Sequence, residues 1–379
     1  MTPLPETVLQ FGAGRFLRAF ADLFIHHANV AGQHIGRIVV VQSTGDDRAR
    51  LLNQSGGKYH VVIRGLEAGQ TVDRVEEVAS ISRALVASQQ WGEILNIARA
   101  PELRFILSNT TEAGYNLDPS DRADSAPPQS FPAKLLAVLK ARFDAGKPGL
   151  TIIPCELQEH QADKLLALVL QLAESWKYAA EFSTWLKTKC VWLNTLVDRI
   201  VVGPPKDHPL AGKDPLLIVA EPFAFWALQE KLGAFPFVRN PAIVRTADAE
   251  PYFLRKVRIL NGAHTALLIK ARPRGFVTVR EAINDAALST WLQRLLFEEI
   301  VPALEGRVDD PRGFAKQTLE RFRNPFLEHK LRDIALHHDA KVLVRLVPTQ
   351  AEFREKFGRN PPLLDEVLAE NAAAAGVKS

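Results

Sequence analysis

Residues 7 to 42 constrain the fold most. The apolar run Val8-Leu9-Gln10-Phe11 leads into Gly12-Ala13-Gly14-Arg15-Phe16-Leu17-Arg18-Ala19-Phe20, and Gly36-Arg37-Ile38-Val39-Val40-Val41-Gln42 follows. Strand, glycine turn, amphipathic helix from Gly14 to Val30 and second strand are the parts of a βαβ mononucleotide-binding unit, a parallel pair with a right-handed crossover. Gly12 and Gly14 allow a tight turn and close approach of backbone N–H groups to a pyrophosphate at a helix N-terminus. Leu17 stands where the usual dinucleotide fingerprint has its third glycine, so the motif takes its force from the strands on either side.

A second pattern lies far along the chain. Residues 254 to 265 read Leu-Arg-Lys-Val-Arg-Ile-Leu-Asn-Gly-Ala-His-Thr, which sets Lys256, Asn261 and His264 in an apolar helical stretch. On an α-helix of about 100° per residue they fall at about 0°, 140° and 80°, so one pocket can receive all three. An amine, an amide and an imidazole suit a carbonyl/alcohol interconversion: Lys256 gives or takes the proton, and Asn261 and His264 hydrogen-bond the substrate oxygen. A lysine must lose its proton to act as a base, and burial or neighbouring cations such as Arg255 and Arg258 would favour that. The competing reading is a solvated basic turn with His264 as a core histidine.

The chain also carries Ser108-Asn109-Thr110-Thr111-Glu112-Ala113-Gly114-Tyr115, Ile153-Pro154-Cys155-Glu156-Leu157, Asn194-Thr195-Leu196-Val197-Asp198-Arg199-Ile200, Glu221-Pro222-Phe223-Ala224-Phe225-Trp226 and Arg321-Phe322-Arg323-Asn324-Pro325. With the glycine turn and the lysine motif, this ordered set resembles the polyol-specific long-chain dehydrogenase/reductase family, the mannitol dehydrogenase group. The likeness runs through nearly the whole chain and is greatest to the tagaturonate-reducing members. It implies metal-independent, NAD-dependent hydride transfer between D-tagaturonate and D-altronate. Two departures bear on the substrate. Gln161-Ala162 stands where the tagaturonate-type pattern has Asn-Gly, and Asp333 stands where mannitol-type enzymes have an arginine eight residues before the lysine matched by Lys341.

The residues expected to hold NAD are Gly12, Ala13, Gly14, Arg15, Phe16, Gln42, Ser43, Asn109, Thr110, Thr111 and Glu112; those expected at the substrate are Lys341, with Arg332 as helper. Because Gln42 ends the second strand and the acids of Ser43-Thr44-Gly45-Asp46-Asp47-Arg48 come later, the preference for NAD over NADP rests on the resemblance. Fructuronate, mannitol 1-phosphate or another polyol would suit the same chemistry. A catalytically inactive NAD-binding sensor is the reading from another class, and the intact lysine motif opposes it. No metal is expected: His26-His27 and His337-His338 are adjacent pairs without a third ligand at metal spacing. Cys155 reads as a packing cysteine and Asp198-Arg199 as a fixed ion pair.

At 379 residues the chain exceeds the comfortable size of one core, and two domains are expected, a Rossmann-like 1–248 and an all-α substrate and catalytic 249–379. Candidate strands at Thr7 to Phe11, Arg37 to Gln42, Tyr59 to Arg64, Gln70 to Val75, Arg104 to Ser108, Leu150 to Pro154 and Leu216 to Ala220 alternate with helices at Trp91 to Arg99, Pro132 to Asp144 and Glu156 to Trp176, the order of an α/β fold with a mostly parallel sheet. From about Glu250 the periodicity is helical throughout. A 47% hydrophobic and 24% charged composition is ordinary for a globular protein, and no apolar run approaches the ~20 residues of a membrane span. The net charge of +4 is spread along the chain, with no basic stripe interleaved with aromatics for nucleic acid. With two cysteines and no basic, apolar leader at the start, a cytoplasmic monomer or small homo-oligomer acting on a small sugar acid or polyol is expected.

Overall fold

The computed structural model describes residues 4–67, 69–110, 112–205 and 208–376. Two compact units emerge: residues 1–63 with 74–249, and residues 64–73 with 250–379. In chain order the described strands are β1 (Glu6–Phe11), β2 (Arg37–Gln42), β3 (Tyr59–Glu67), β4 (Gln70–Val78), β5 (Ile81–Val86), β6 (Phe105–Ser108), β7 (Thr151–Pro154), β8 (Val191–Trp192), β9 (Thr195–Asp198), β10 (Val201–Val202), β11 (Ile218–Ala220), β12 (Phe225–Gln229) and β13 (Ile243–Thr246).

The first unit is built on a parallel sheet whose order, among the described residues, is β5-β2-β1-β6-β7-β8. Its strands are apolar on both faces because both are covered, which is why Val-Leu-Gln-Phe and Ile-Val-Val-Val run nearly without polar interruption. On one face Leu9, Phe11, Val39, Val41, Ile106 and Ile152 pack against Ile94, Leu135, Leu139, Leu165 and Val169 from the helices Ala87–Arg99, Phe131–Asp144 and Gln161–Ser175. β1 lies between β2 and β6, so the chain order reverses at the β1/β6 boundary, a topological switch point. Two smaller sheets, β10-β11-β3-β4 and β13-β12-β9, complete the strand set.

The second unit is helical, apart from the hairpin tip Arg64–Asp73 that clusters with it. Within it the helices Glu250–Arg255 and Gly262–Ala271 are joined by a π-helical segment, Lys256–Asn261, with helical dihedrals at both joints. The helix Val279–Asn284 begins in a capping box, in which the Thr278 hydroxyl accepts from Glu281 N and the Glu281 carboxylate accepts from Thr278 N.

Three expected details are corrected. The helix after the glycine turn breaks at Ala19 and Phe20 into Arg15–Arg18 and Ala21–Val30. β5, a parallel edge strand reading Ile-Ser-Arg-Ala-Leu-Val, hides a polar pair inside and loses its strand signature. Likewise the helical periodicity beyond Glu250 gives no boundaries, and the chain there breaks into short helices such as Leu331–Ile334 and His338–Arg345.

Beneath the glycine turn lies a buried polar cluster. Gln10, on β1, donates from Nε2 to the Gly12 carbonyl at 3.1 Å and to the Asp22 carboxyl at 3.3 Å. Tyr59 donates to the Arg18 carbonyl at 2.7 Å, and Ser80 to the Asp22 carbonyl at 2.8 Å. Burial raises the Asp22 carboxyl to about 7. Between about pH 4, where an unfolded aspartate ionises, and pH 7, the folded chain keeps a proton that the unfolded chain releases. The stability this group contributes is therefore complete below about pH 4 and declines as pH rises through 7. Asp22→Asn should flatten that slope and make the protein relatively more stable at pH 8 than at pH 5. Chemical denaturation at the two pH values checks it, and an unchanged slope would show that Asp22 is ionised throughout.

Candidate functional site

In the second unit the π-helical segment decides how the lysine motif is presented. An α-helix would put Lys256 and Asn261 about 140° apart. A π-turn closes at i+5, which brings these two residues onto one face. Asn261 and His264 are then neighbours at i, i+3 on the α-helix that follows. The three groups are thus more closely aligned than an unbroken α-helix would place them. Lys256 is buried, at 7% exposure, and Asn261 is half-buried.

His264 is buried, and among the described residues its Nε2 has no hydrogen-bond partner. Phe322 stacks on the ring at a centroid distance of 4.2 Å, and His329 stands edge to face at 4.8 Å. Burial holds the His264 imidazole well below its ordinary range, and His329, Arg321, Arg345 and Lys256 push in the same direction. His264 is therefore neutral at physiological pH, with one N–H to donate. Arg255 and Arg258, next to Lys256 in sequence, are committed elsewhere. Arg258 pairs with Glu352 at 3.1 Å, and the Arg255 guanidinium lies 4.6 Å from the Phe314 ring. Arg321 and Arg345, which act on His264 together with Lys256, come instead from Pro311–Phe322 and His338–Arg345.

Lys341, on the helix His338–Arg345, donates to the Ile334 carbonyl at 2.9 Å and acts electrostatically on His329. Arg332 is 77% exposed and lies 3.6 Å from Asp333. Arg321, His329 and Arg345 were not singled out as site residues by sequence reasoning. The signal for Arg321 was present in Arg-Phe-Arg-Asn-Pro, whose Asn324 donates to the Arg64 carbonyl at 3.0 Å.

In the first unit Gly12 follows β1 with φ +124°, and a Cβ there would meet the Asn109 carbonyl oxygen at 3.0 Å. Its N–H donates to the Val41 carbonyl at 3.1 Å. Gly14 has an ordinary φ of −67°, and among the described residues nothing lies within 4 Å of where its Cβ would be. The space beside Gly14 is what a closely approaching phosphate group needs, so the turn fits a dinucleotide. Leu17 is buried under the turn, its Cδ1 3.5 Å from the Gly12 Cβ position, which accounts for an apolar residue where the fingerprint has glycine. Ala13 is buried, Arg15 exposed, and Phe16 stacks on Phe20 at 4.9 Å. Gln42 is used internally: it donates to Thr44 O and Asp47 Oδ1, both at 2.8 Å, and accepts from Ala49 N at 2.7 Å. Ser43 beside it is exposed.

At the carboxyl edge of β6 and β7, Asn109 donates from Nδ2 to the Cys155 carbonyl at 2.7 Å. Glu156, 3% exposed, accepts from Thr110 N at 2.9 Å and from the Ser108 and Tyr115 hydroxyls, each at 3.2 Å. This carboxyl holds the segment that crosses the switch point, a role that the motif around it did not disclose. Thr111 and the side chain of Glu112 lie outside the described residues. Gln161 donates to Thr195 Oγ1 at 3.0 Å, so its amide is engaged within the unit. Burial raises the Cys155 thiol well above its ordinary range, away from nucleophilic use. Arg199 donates to the carbonyls of Glu221, at 2.9 Å, and Ala19, at 2.8 Å. Of the paired histidines, His27 binds Glu76, His26 accepts from Ala79 N, and His338 bonds Asn371. Among the described residues no helix is long and apolar enough to cross a membrane.

Comparison with known proteins gives concordant results. Residues 6–236 match the mannitol dehydrogenase Rossmann domain, and residues 248–370 match the mannitol dehydrogenase C-terminal domain. An altronate oxidoreductase of Klebsiella pneumoniae subsp. pneumoniae is 39% identical over 96% of this chain and 79% of its own length. Another, from Halalkalibacterium halodurans, is 38% identical over 95% of this chain and 73% of its own. The solved structure of Pseudomonas fluorescens mannitol 2-dehydrogenase, in ternary complex with NAD and D-mannitol, superposes with a TM-score of 0.82 at 23% identity, covering 97% of this chain and 78% of that one. A parallel sheet broken by a glycine turn at its switch point, a helical unit carrying the lysine motif, and matches along nearly the whole length make this chain a member of the mannitol dehydrogenase family, a dehydrogenase of polyols or sugar acids.

Proposed function

We propose that the chain is an NAD-dependent oxidoreductase that interconverts a ketose uronate and a sugar acid polyol, D-tagaturonate and D-altronate, without a metal. The name altronate oxidoreductase carried by relatives 38–39% identical supports the substrate pair. The observation that carries the chemistry is the buried, unpartnered Nε2 of His264, set beside Asn261 on the helix and within the electrostatic reach of Lys256. A buried polar atom left without a partner is costly, and a substrate oxygen would satisfy it.

Residues 1–248 are assigned to the cofactor and 249–379 to substrate and catalysis. Gly12, Ala13, Gly14, Arg15 and Phe16 would line the pyrophosphate turn, Gln42 and Ser43 the end of β2, and Asn109 to Glu112 the switch point. When bound, NADH supplies the hydride for ketone reduction, and NAD takes it in the reverse direction. Lys256 as an ammonium gives its proton to the ketone oxygen, while Asn261 and His264 donate hydrogen bonds to the same oxygen as negative charge develops. In oxidation Lys256 as an amine takes the hydroxyl proton. Lys256 is buried, so a substrate oxygen that reaches it meets little competing water. His264 has to stay neutral so that it orients the oxygen without competing for the proton. Lys341 would meet the substrate carboxylate, with Arg332 as helper.

The reading is tested by fluorescence titration with NADH, then turnover on D-tagaturonate, D-fructuronate, fructose and mannitol 1-phosphate. Tagaturonate is expected to give the highest kcat/KM. Turnover of neutral or phosphorylated sugars alone would replace the substrate class, and NADH binding without any turnover would leave a sensor.

Lys256→Ala should keep NADH affinity within a few-fold and lower kcat about a hundredfold or more, the scale of a lost general acid-base. In the wild type, oxidation should rise with pH and level off, and reduction should fall, since one direction uses the amine and the other the ammonium. Near-normal turnover of the variant at every pH would remove Lys256 from the mechanism. Lys341→Met should raise KM for tagaturonate about tenfold, the equivalent of roughly 1.4 kcal/mol from a lost charge-assisted hydrogen bond, while sparing fructose. Equal effects on charged and neutral ketoses would assign Lys341 a structural role.

A further inference from the structure

Within the helical unit a second imidazole stands beside the first. His329 meets His264 edge to face, with ring centroids 4.8 Å apart and planes inclined at 72°. Its backbone is clamped on both sides. The His329 carbonyl accepts from Val279 N at 3.0 Å, Leu331 N donates to the Val277 carbonyl at 2.9 Å, and Thr278 and Lys330 form a β-bridge. The capping box at Thr278 secures the other half of that bridge. The ring is therefore held by covalent attachment to a fixed backbone and by contact with His264, and it forms no hydrogen bond to another described residue. It is half-buried rather than sealed.

The charges around it define what it can bind. Burial lowers His329 to about 4, and Arg321 and Lys341 act in the same direction against the opposing pull of Asp333. With His264 also neutral, the two rings cannot supply a cation to a carboxylate; that chemistry is left to Lys341. A neutral imidazole offers one donor and one acceptor, the complement of a hydroxyl group. Neighbouring oxygens along a polyol chain lie about one hydrogen-bond length apart, a spacing that two adjacent rings can address together.

We propose that His329 is a specificity-determining residue that hydrogen-bonds the hydroxyl on the carbon next to the one that changes oxidation state, while His264 holds the reacting oxygen. This inference rests on the catalytic reading given above. It makes recognition of the substrate a matter of two consecutive oxygens, each met by a neutral ring, with the remote charge met separately.

The test compares D-tagaturonate with its analogue deoxygenated at the secondary carbon beside the ketone, using the full-length protein and NADH. His329→Phe keeps a ring against His264 and removes both nitrogens. Its kcat/KM for tagaturonate should fall tenfold or more while that for the deoxy analogue stays within about twofold of wild type, so that the preference for the hydroxyl collapses. A merely structural role would lower both substrates equally, and that outcome, or no change in either, overturns the proposal. His329→Leu gives the same comparison if the phenylalanine variant does not fold, as judged by its melting temperature. A wild type that turns over both ketones equally well also overturns it, leaving the catalytic reading intact. A wild type that turns over neither ketone, nor the other sugars tested, overturns the catalytic reading itself.

Discussion

The pairing of β1 with β2 on one side and β6 on the other is the constraint on which the first unit depends. Once β1 occupies that place, the connections from β1 to β2 and from β6 to β7 leave toward opposite flanks, and the carboxyl ends of β1 and β6 diverge into a crevice. Gly12 ends β1 at this point with a positive φ and its N–H on the Val41 carbonyl, so the backbone turns without lifting away from β2. The Asn109 carbonyl sits where a Gly12 side chain would begin, and Glu156 ties Thr110 and Ser108 to the end of β7. The backbone at this sheet edge is thereby held in place by a glycine and a buried carboxyl.

In the helical unit the governing interaction is electrostatic. Two imidazoles, His264 and His329, are surrounded by Lys256, Arg321, Lys341 and Arg345, with Asp333 the opposing charge on His329. A protonated ring would be desolvated and placed among cations at once, so both remain neutral. The positive field that keeps them neutral also suits an anionic substrate. Neutral hydrogen-bonding groups and a positive field thus follow from one arrangement of side chains. The π-turn completes it by bringing Lys256 and Asn261 onto one face, a distortion that backbone regularity alone would not favour.

Much of this was legible in the order of residues. Short-range features, namely the apolar strand, the glycine turn and the parallel partner at the right distance, specify a βαβ unit because their periods and turn chemistry are local. The Lys256, Asn261 and His264 motif was visible for the same reason, as was the tight turn at Gly12 and Gly14. Features whose sense is set by distant contacts were not visible. β5 pairs as an edge strand despite a Ser-Arg pair in its middle, since Glu6 and Glu93 accept from Arg83. The break at Ala19 and Phe20 is compatible with a continuous amphipathic pattern, and only packing of Phe20 against Phe24 and Trp226 explains where the chain bends.

What the sequence determined by itself is the class of chain, an α/β nucleotide-type unit followed by helices, with a lysine, an amide and an imidazole at fixed spacing along one helix. The tertiary structure alone decided which residues surround them. Phe322 and His329 reach the His264 ring from a segment more than fifty residues downstream, and the arginines acting on it are Arg321 and Arg345 rather than Arg255 and Arg258, which lie nearer in sequence. The physical reason is that hydrogen-bond spacing along a helix depends on sequence separation, whereas burial and Coulomb interactions depend on distance in space, which only the folded chain defines.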